Sequence, residues 1–152
     1  MLLTVVVSIV LLAYIIEVLL DHVNQSTAGN ALDPSVAGLY DPSERTRSIA
    51  YSAEKTRFGF YSSTFSTVIM IIALCYGWFA ALDSWVRDQF DNQIAISLVF
   101  IASLSVISWW LNLPFQLYSI FGIEARYGFN KITPKTFIVD TIKGSVLATL
   151  IG

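Results

Sequence analysis

The sequence predicts an all-α protein of transmembrane helices, with three full spans and the start of a fourth. Three apolar blocks support this prediction: residues 2–20, 61–82 and 94–121. At about 1.5 Å of helical rise per residue, each block is long enough to cross the roughly 30 Å hydrocarbon core of a bilayer. The second and third blocks contain no Asp, Glu, Lys, Arg or His. A soluble helix needs a polar face, so these blocks indicate a membrane protein.

The first block resembles a signal peptide in its position but not in its pattern. No Lys or Arg precedes it, and the apolar run continues to Leu20, beyond the usual length of a signal peptide's apolar region. We therefore predict a retained span, while cleavage after the small residues 26–28 stays open as an alternative.

The cations between the blocks predict an orientation. Segments 21–60, 83–93 and 122–143 contain four, one and four Lys or Arg residues in turn: Arg45, Arg47, Lys55 and Arg57; Arg87; Arg126, Lys131, Lys135 and Lys143. Cytoplasmic loops are enriched in Lys and Arg. We expect a multi-pass protein with its N-terminus outside and its first and third loops in the cytoplasm. An endoplasmic reticulum membrane and a bacterial inner membrane fit this pattern equally well.

The first loop contains a predicted helix that leads into the second span. Asp41 can cap its N-terminus, Pro42 suits the first turn, and Glu44 can complete a capping box. An i, i+3 pair of Glu54 with Arg57 favours helix modestly. We expect this helix to continue almost unbroken into the span, with Gly59 as the bend and the extension lying on neighbouring helices.

The third and fourth blocks each have one unusual feature. Pro114 lies inside the third block and predicts a helix kink, because proline removes a backbone donor. The fourth block, residues 141–152, reaches only about 18 Å at helical rise, which is short of a span. We therefore expect the sequence to end inside a helix and to be part of a longer chain.

Composition and single residues exclude several function classes. A formal net charge of -2 provides no basic field for nucleic acid. The only cysteine, Cys75, is predicted to be a small buried apolar side chain. His22 is the only histidine, so a zinc site with two or three histidines from this chain is excluded. We expect Glu17, Asp21 and His22 to form an ordinary polar helix end, with a carboxylate–histidine metal site as the alternative. Serines and threonines in the spans lack a partner base, so no catalytic residue is predicted.

Several segments resemble a known family. Residues 114–131 read PFQLYSIFGIEARYGFNK, residues 133–143 read TPKTFIVDTIK, and residues 37–40 and 51–59 read AGLY and YSAEKTRFG. These segments closely resemble the membrane region of the CAAX prenyl endopeptidases, integral-membrane zinc metalloproteases with an HExxH motif. The resemblance extends over roughly residues 37–143.

The resemblance implies a seven-helix membrane protein, with its N-terminus outside, around a large intramembrane chamber. Such an enzyme cleaves prenylated CAAX peptides, and its Zn²⁺ is held by two histidines of HExxH and a distant glutamate. The sequence contains no HExxH, so no catalytic residue or metal ligand is carried over. We expect an N-terminal membrane domain, inactive by itself, that forms part of the chamber wall. Its expected partners are the lipid bilayer, the missing C-terminal catalytic half and a prenylated peptide substrate.

Candidate structural contacts cluster around the third loop. Asn130 suits a tight turn after Gly128, and the charged candidates there are Glu124, Arg126, Asp140 and Lys143. We expect these residues to clamp the third and fourth helices and to contact the missing half. Glu54 and Arg57 are further candidate contacts in the first loop. The alternative is a solvated loop with weak surface ion pairs.

Two other function classes stay open. The chain can be a non-catalytic membrane scaffold or adaptor that retains only this domain, or a small transporter subunit. Few ionisable residues lie inside the predicted spans, which argues against an ion pathway.

Overall fold

The structure is a computed structural model that describes residues 1–28 and 41–151. These residues form an all-α fold, as predicted. Its elements are α1 (Leu2–Ala28), α2 (Pro42–Cys75), α3 (Trp78–Gln89), α4 (Gln93–Leu117), a π-helical segment (Tyr118–Glu124), here called the π segment, and α5 (Pro134–Ile151). The AGLY motif at 37–40 lies outside the described residues.

Three stretches of helix in the described ranges are long and apolar enough to cross a membrane. They are Leu2–Gln25, Ser43–Cys75 and Gln93–Glu124. Most of their large apolar side chains are exposed in the isolated chain, and the buried apolar residues in the described ranges are Ala73, Val86, Ile96 and Ile123. Helices that expose apolar side chains on nearly every face are suited to lipid.

The start of α2 has the predicted cap at Asp41, with Pro42 in the first turn. Asp41 Oδ1 accepts hydrogen bonds from the Ser43 N–H and from the Ser43 hydroxyl, both at 2.8 Å. These bonds satisfy one of the backbone donors that a helix N-terminus leaves without an intrahelical partner. The hydrogen bonds to Ser43, the backbone bond first, lower the pKa of Asp41.

The interruption in the second apolar block lies elsewhere than we predicted. Helix α2 continues through Gly59 and ends at Cys75, and the chain turns at Tyr76 and Gly77. Gly77 has a φ of 71°, a left-handed conformation that is inexpensive only for glycine. The predicted span 61–82 is therefore two helices, α2 and α3. The predicted loop 83–93 is also wrong in part, because α3 continues to Gln89.

A polar side chain caps the N-terminus of α4, and α-helical geometry changes to π-helical geometry at its C-terminal end. Asn92 Oδ1 accepts hydrogen bonds from Ile94 N–H (2.8 Å) and Ala95 N–H (3.3 Å). The helix continues past Pro114 to Leu117, and the π segment begins directly after it. Proline deprives the carbonyl four residues earlier of its donor, and π geometry is often found at functional sites.

The helices pack in one connected arrangement. Helix α2 contacts α1, α3, α4 and the π segment, and α3 also contacts α4. Helix α5 meets the rest through an edge-to-face contact of Phe137 with Phe121, at a centroid distance of 6.0 Å. Cys75 is exposed, contrary to the prediction of a buried side chain, because it lies at the end of α2 where the chain turns outward into α3.

Candidate functional site

Two ion pairs connect α2 to the end of the π segment. Lys55 Nζ lies 2.9 Å from Glu124 Oε1, and Arg126 Nη1 donates to Glu54 Oε1. Lys55 also donates to the Tyr51 hydroxyl at 2.8 Å. We call these five residues the polar joint. Its charged side chains are partly exposed, and exposed ion pairs contribute little to stability individually.

Aromatic packing reinforces the polar joint. The Tyr51 ring lies 4.7 Å from the Phe129 ring and 5.6 Å from the Tyr127 ring, measured between centroids. The Arg47 guanidinium lies over Phe129, 5.4 Å from its centroid. Such aromatic pairs contribute about 0.5–1.5 kcal/mol each beyond the area that they bury. The aromatic contacts therefore hold the loop after the π segment against α2 more firmly than the ion pairs do.

Arg126 of the joint and its neighbour Tyr127 both have raised pKa values. A hydrogen bond with the Tyr118 hydroxyl, and then the negative charge of Glu54, raise the pKa of Arg126. A hydrogen bond to the Glu54 carboxylate, followed by partial loss of water, raises the pKa of Tyr127. Both side chains therefore stay protonated at neutral pH, and Glu54 is compensated by a permanent cation.

A tight turn connects the π segment to α5. Gly128 has a φ of 75°, which favours glycine at this position. The Glu124 carbonyl accepts hydrogen bonds from the backbone N–H groups of Phe129 (2.9 Å) and Asn130 (3.1 Å). Asn130 Oδ1 accepts from the Ile132 N–H at 2.6 Å, so this side chain stabilises the turn.

The structure brings three of the predicted contact residues together: Glu54, Glu124 and Arg126. Their ion pairs connect α2 to the end of the π segment, whereas we expected Glu124 and Arg126 to clamp the third and fourth helices. The predicted i, i+3 pair is also replaced, because Glu54 meets Arg126 and Arg57 faces a groove.

The other predicted pair, Asp140 with Lys143, lies on the exposed surface of α5, and no ion pair joins the two in the described part of the chain. Sequence reasoning missed Tyr51 and Lys55 as members of the joint. Their i, i+4 spacing could have shown that they share a helix face, but not which residue lies opposite them.

A groove of about 1070 Å³ lies between α1, α2 and the π segment. We call it the boundary groove. Its lining combines apolar and ionisable side chains, among them Asp21, His22, Arg57, Phe60, Tyr61 and Tyr118.

A smaller cavity of about 310 Å³ lies between α2, α3 and α4. Its lining is mostly apolar, with Ser66, Ser108 and Asn112 as polar members. Asn112 is already engaged, because its side-chain amide donates to the Ser108 carbonyl at 2.8 Å. This cavity provides apolar volume inside the membrane-spanning region and no reactive group.

The described residues do not fit a zinc site. Within residues 1–28 and 41–151, no group of three or more His, Cys, Asp or Glu side chains lies close enough together to hold a metal ion. Metal-ligating chemistry is therefore not assigned to any residue within these two ranges.

These features define a class: a multi-pass, α-helical integral membrane domain in which ion pairs and aromatic contacts join α2 to the end of the π segment and the turn after it. The chain belongs to the CAAX prenyl protease family, since the family model described as "CAAX prenyl protease N-terminal, five membrane helices" matches residues 21–152.

Known proteins with the same fold and sequence pattern support this assignment. The chain is 35% identical over 157 residues to a CAAX prenyl protease 1 homolog from Arabidopsis thaliana, covering 97% of this chain and 37% of that protein. It is 29% identical over 140 residues to CAAX prenyl protease 1 of Saccharomyces cerevisiae, covering 84% and 30%.

A solved structure is similar over nearly the whole chain. The crystal structure of S. mikatae Ste24p matches with a TM-score of 0.85 and 26% identity, covering 99% of this chain and 36% of that one. The chain therefore spans between 30% and 37% of the length of these relatives.

Proposed function

We propose that the chain is the N-terminal membrane domain of a zinc metalloendopeptidase that cleaves prenylated CAAX-type or membrane-borne peptides. In this proposal it forms part of the wall of an intramembrane chamber and supports a catalytic domain located outside these residues. The Zn²⁺ and its ligands belong to that other domain. This chain alone is inactive.

One observation carries the proposal: the similarity to CAAX prenyl proteases is continuous along the chain in both sequence and structure. The family model covers residues 21–152, and the structural match covers 99% of the chain. A short motif can occur by chance in unrelated membrane proteins, whereas a continuous match of this length includes helices, turns and interhelix segments together.

The arrangement of the described helices is suited to a wall. Exposed apolar side chains on α1, α2 and α4 provide surfaces for lipid and for further helices. The polar joint holds α2 against the π segment, so that these two helices form one unit on which a second domain can rest.

We propose further that the N-terminus lies outside and that segments 21–60 and 122–143 lie in the cytoplasm. The four, one, four distribution of cations supports this orientation. The polar joint then lies at the cytoplasmic face, where a catalytic domain can contact Asp140, Lys143 and the turn at Asn130.

A chimaera tests the proposed function. The segment of the Arabidopsis relative that matches this chain is replaced by residues 1–152, and the purified chimaera is assayed with a farnesylated CAAX peptide. We expect cleavage that depends on the catalytic residues of the relative and is inhibited by a zinc chelator. In the matched control, the relative's own segment is reinserted at the same two junctions.

An inactive chimaera that inserts and folds like the control contradicts the proposal. That outcome favours the alternative, a scaffold or adaptor that retains the wall without supporting proteolysis. Cleavage by residues 1–152 alone contradicts the proposed division of labour between wall and catalytic domain.

A further inference from the structure

The boundary groove has a position that suits a lipid headgroup. Two hydrogen bonds join α1 to α2, one toward each end of the groove. Tyr14 pairs with Thr64 at 2.7 Å, and Gln25 Nε2 donates to the Ala53 carbonyl at 3.5 Å. Residue numbers rise along α1 as they fall along α2, so the helices are antiparallel. Asp21 directly follows the first apolar block, and Arg57 precedes the second. The groove is therefore located at the edge of the apolar region.

The groove contains a cation and an anion on opposite helices. Asp21 lies on α1 and Arg57 on α2, and both line the groove. No ion pair joins them in the described part of the chain, where the ion pairs are Lys55–Glu124, Arg87–Asp83 and Arg126–Glu54.

Glu54 also lines the groove, but its charge is compensated by Arg126. Apart from His22 and the compensated Glu54, the groove thus presents one cation and one anion that form no ion pair with each other in the described part of the chain. A ligand with one phosphate and one ammonium group complements this charge pattern.

The remaining lining suits the rest of an amphiphile. Phe60, Tyr61 and Val18 provide apolar and aromatic surface next to the charged rim. The volume of about 1070 Å³ is slightly above the roughly 300–1,000 Å³ typical of small-molecule sites. An arginine guanidinium matches the geometry of a phosphate, because it can donate two parallel hydrogen bonds.

We propose that the boundary groove binds one zwitterionic glycerophospholipid. Its phosphate contacts Arg57, its ammonium contacts Asp21, and its acyl chains lie along Phe60 and Tyr61 toward the apolar part of the helices. The bound lipid fills the space between α1, α2 and the π segment and stabilises their spacing. This proposal is independent of the proposed proteolytic function, since it needs only a membrane-embedded chain.

Native mass spectrometry of residues 1–152, purified and delipidated in detergent, tests the proposal. The probes are phosphatidylethanolamine, phosphatidylglycerol and diacylglycerol of equal chain length. We expect one phosphatidylethanolamine per chain, bound about tenfold more tightly than phosphatidylglycerol, as the gain of one charge-assisted hydrogen bond predicts. Equal binding of phosphatidylglycerol, or of diacylglycerol, overturns the proposal.

Three variants identify the groups. Arg57→Gln should weaken binding of both phospholipids about tenfold, because it removes the phosphate contact. Asp21→Asn should abolish the preference for phosphatidylethanolamine and leave phosphatidylglycerol binding unchanged. Arg87→Gln, a matched arginine change on α3 outside the groove, should alter neither. Unchanged binding in Arg57→Gln, or a retained preference in Asp21→Asn, overturns the proposal.

A second measurement applies if Arg57→Gln does not fold. Wild-type chain is reconstituted into phosphatidylcholine vesicles that contain a photoactivatable phosphatidylethanolamine, and cross-linked peptides are mapped. Cross-links concentrated at residues 18–25 and 53–61 support the groove. Cross-links spread evenly along α4, as expected for bulk lipid or for a groove occupied by protein, overturn it.

Discussion

At the scale of single residues, one hydrogen bond between α1 and α2 has a defined direction. The Thr64 hydroxyl lies 2.6 Å from the Phe60 carbonyl and 2.7 Å from the Tyr14 hydroxyl. A carbonyl only accepts, so Thr64 donates its single proton to Phe60 and accepts from Tyr14. The bond lies within the apolar region, where it is specific for the pairing of these two helices.

Tyr14→Phe should lower the free energy of unfolding by about 0.6 kcal/mol, the average for hydrogen bonds between membrane helices. A double-mutant cycle with Thr64→Val, measured by denaturant unfolding in micelles, isolates the coupling between the two side chains. Tyr76→Phe, which removes a hydroxyl from a highly exposed tyrosine, is the control and should change nothing. A coupling energy of zero contradicts the assignment of this bond.

At the scale of elements, two glycines show that the effect of replacing a glycine depends on its backbone conformation. Gly59 lies within α2, and Gly77 forms the turn between α2 and α3 with a φ of 71°. A Cβ added at either position meets no atom within 4 Å. Any difference between the two substitutions therefore comes from the backbone conformation rather than from crowding.

Gly59→Ala should stabilise the protein by about 0.5–1 kcal/mol, because alanine favours helix over the unfolded chain. Gly77→Ala should destabilise it by about 1–2 kcal/mol, because the left-handed conformation brings Cβ close to the next carbonyl. Thermal or denaturant unfolding of the two variants in the same detergent provides the measurement. Effects of the same sign would show that the turn at Gly77 is not left-handed.

At the scale of the whole molecule, the described helices bury few apolar residues and expose many. Such a surface is stable when lipid or further protein covers it, which agrees with a membrane domain that spans little more than a third of its relatives. The orientation of the whole domain in the membrane is a property that a single labelling experiment can measure.

In a Cys75→Ser background, Asp88→Cys on α3 should react with a membrane-impermeant maleimide added outside sealed vesicles of known sidedness. Lys131→Cys, in the turn before α5, should react only after the vesicles are opened. The reason is the proposed orientation, inferred from the cation distribution, in which α3 lies outside and the turn lies in the cytoplasm. The reverse labelling pattern would show the opposite orientation.

Much of the fold could be predicted from the sequence because lipid imposes a simple rule. A helix surrounded by hydrocarbon must be apolar on every side, so long uncharged blocks identify spans without knowledge of their neighbours. The cap at Asp41 was also predictable, since a capping side chain bonds to backbone groups only two residues away. These features depend on local sequence alone.

The arrangement of the candidate site was decided by tertiary structure. Glu54 was expected to pair with Arg57 three residues on, yet it meets Arg126, which is 72 residues away. Lys55 and Glu124 are 69 residues apart, and neither residue indicates its partner. Likewise, Gly59 and Gly77 are both glycines near the second apolar block, and the sequence does not indicate that Gly59 lies inside α2 whereas Gly77 adopts a left-handed turn. The sequence alone determined which segments are helices in a membrane, because that follows from the solvent. Which side chains meet was decided by helix packing, because long-range contacts depend on how distant segments are brought together.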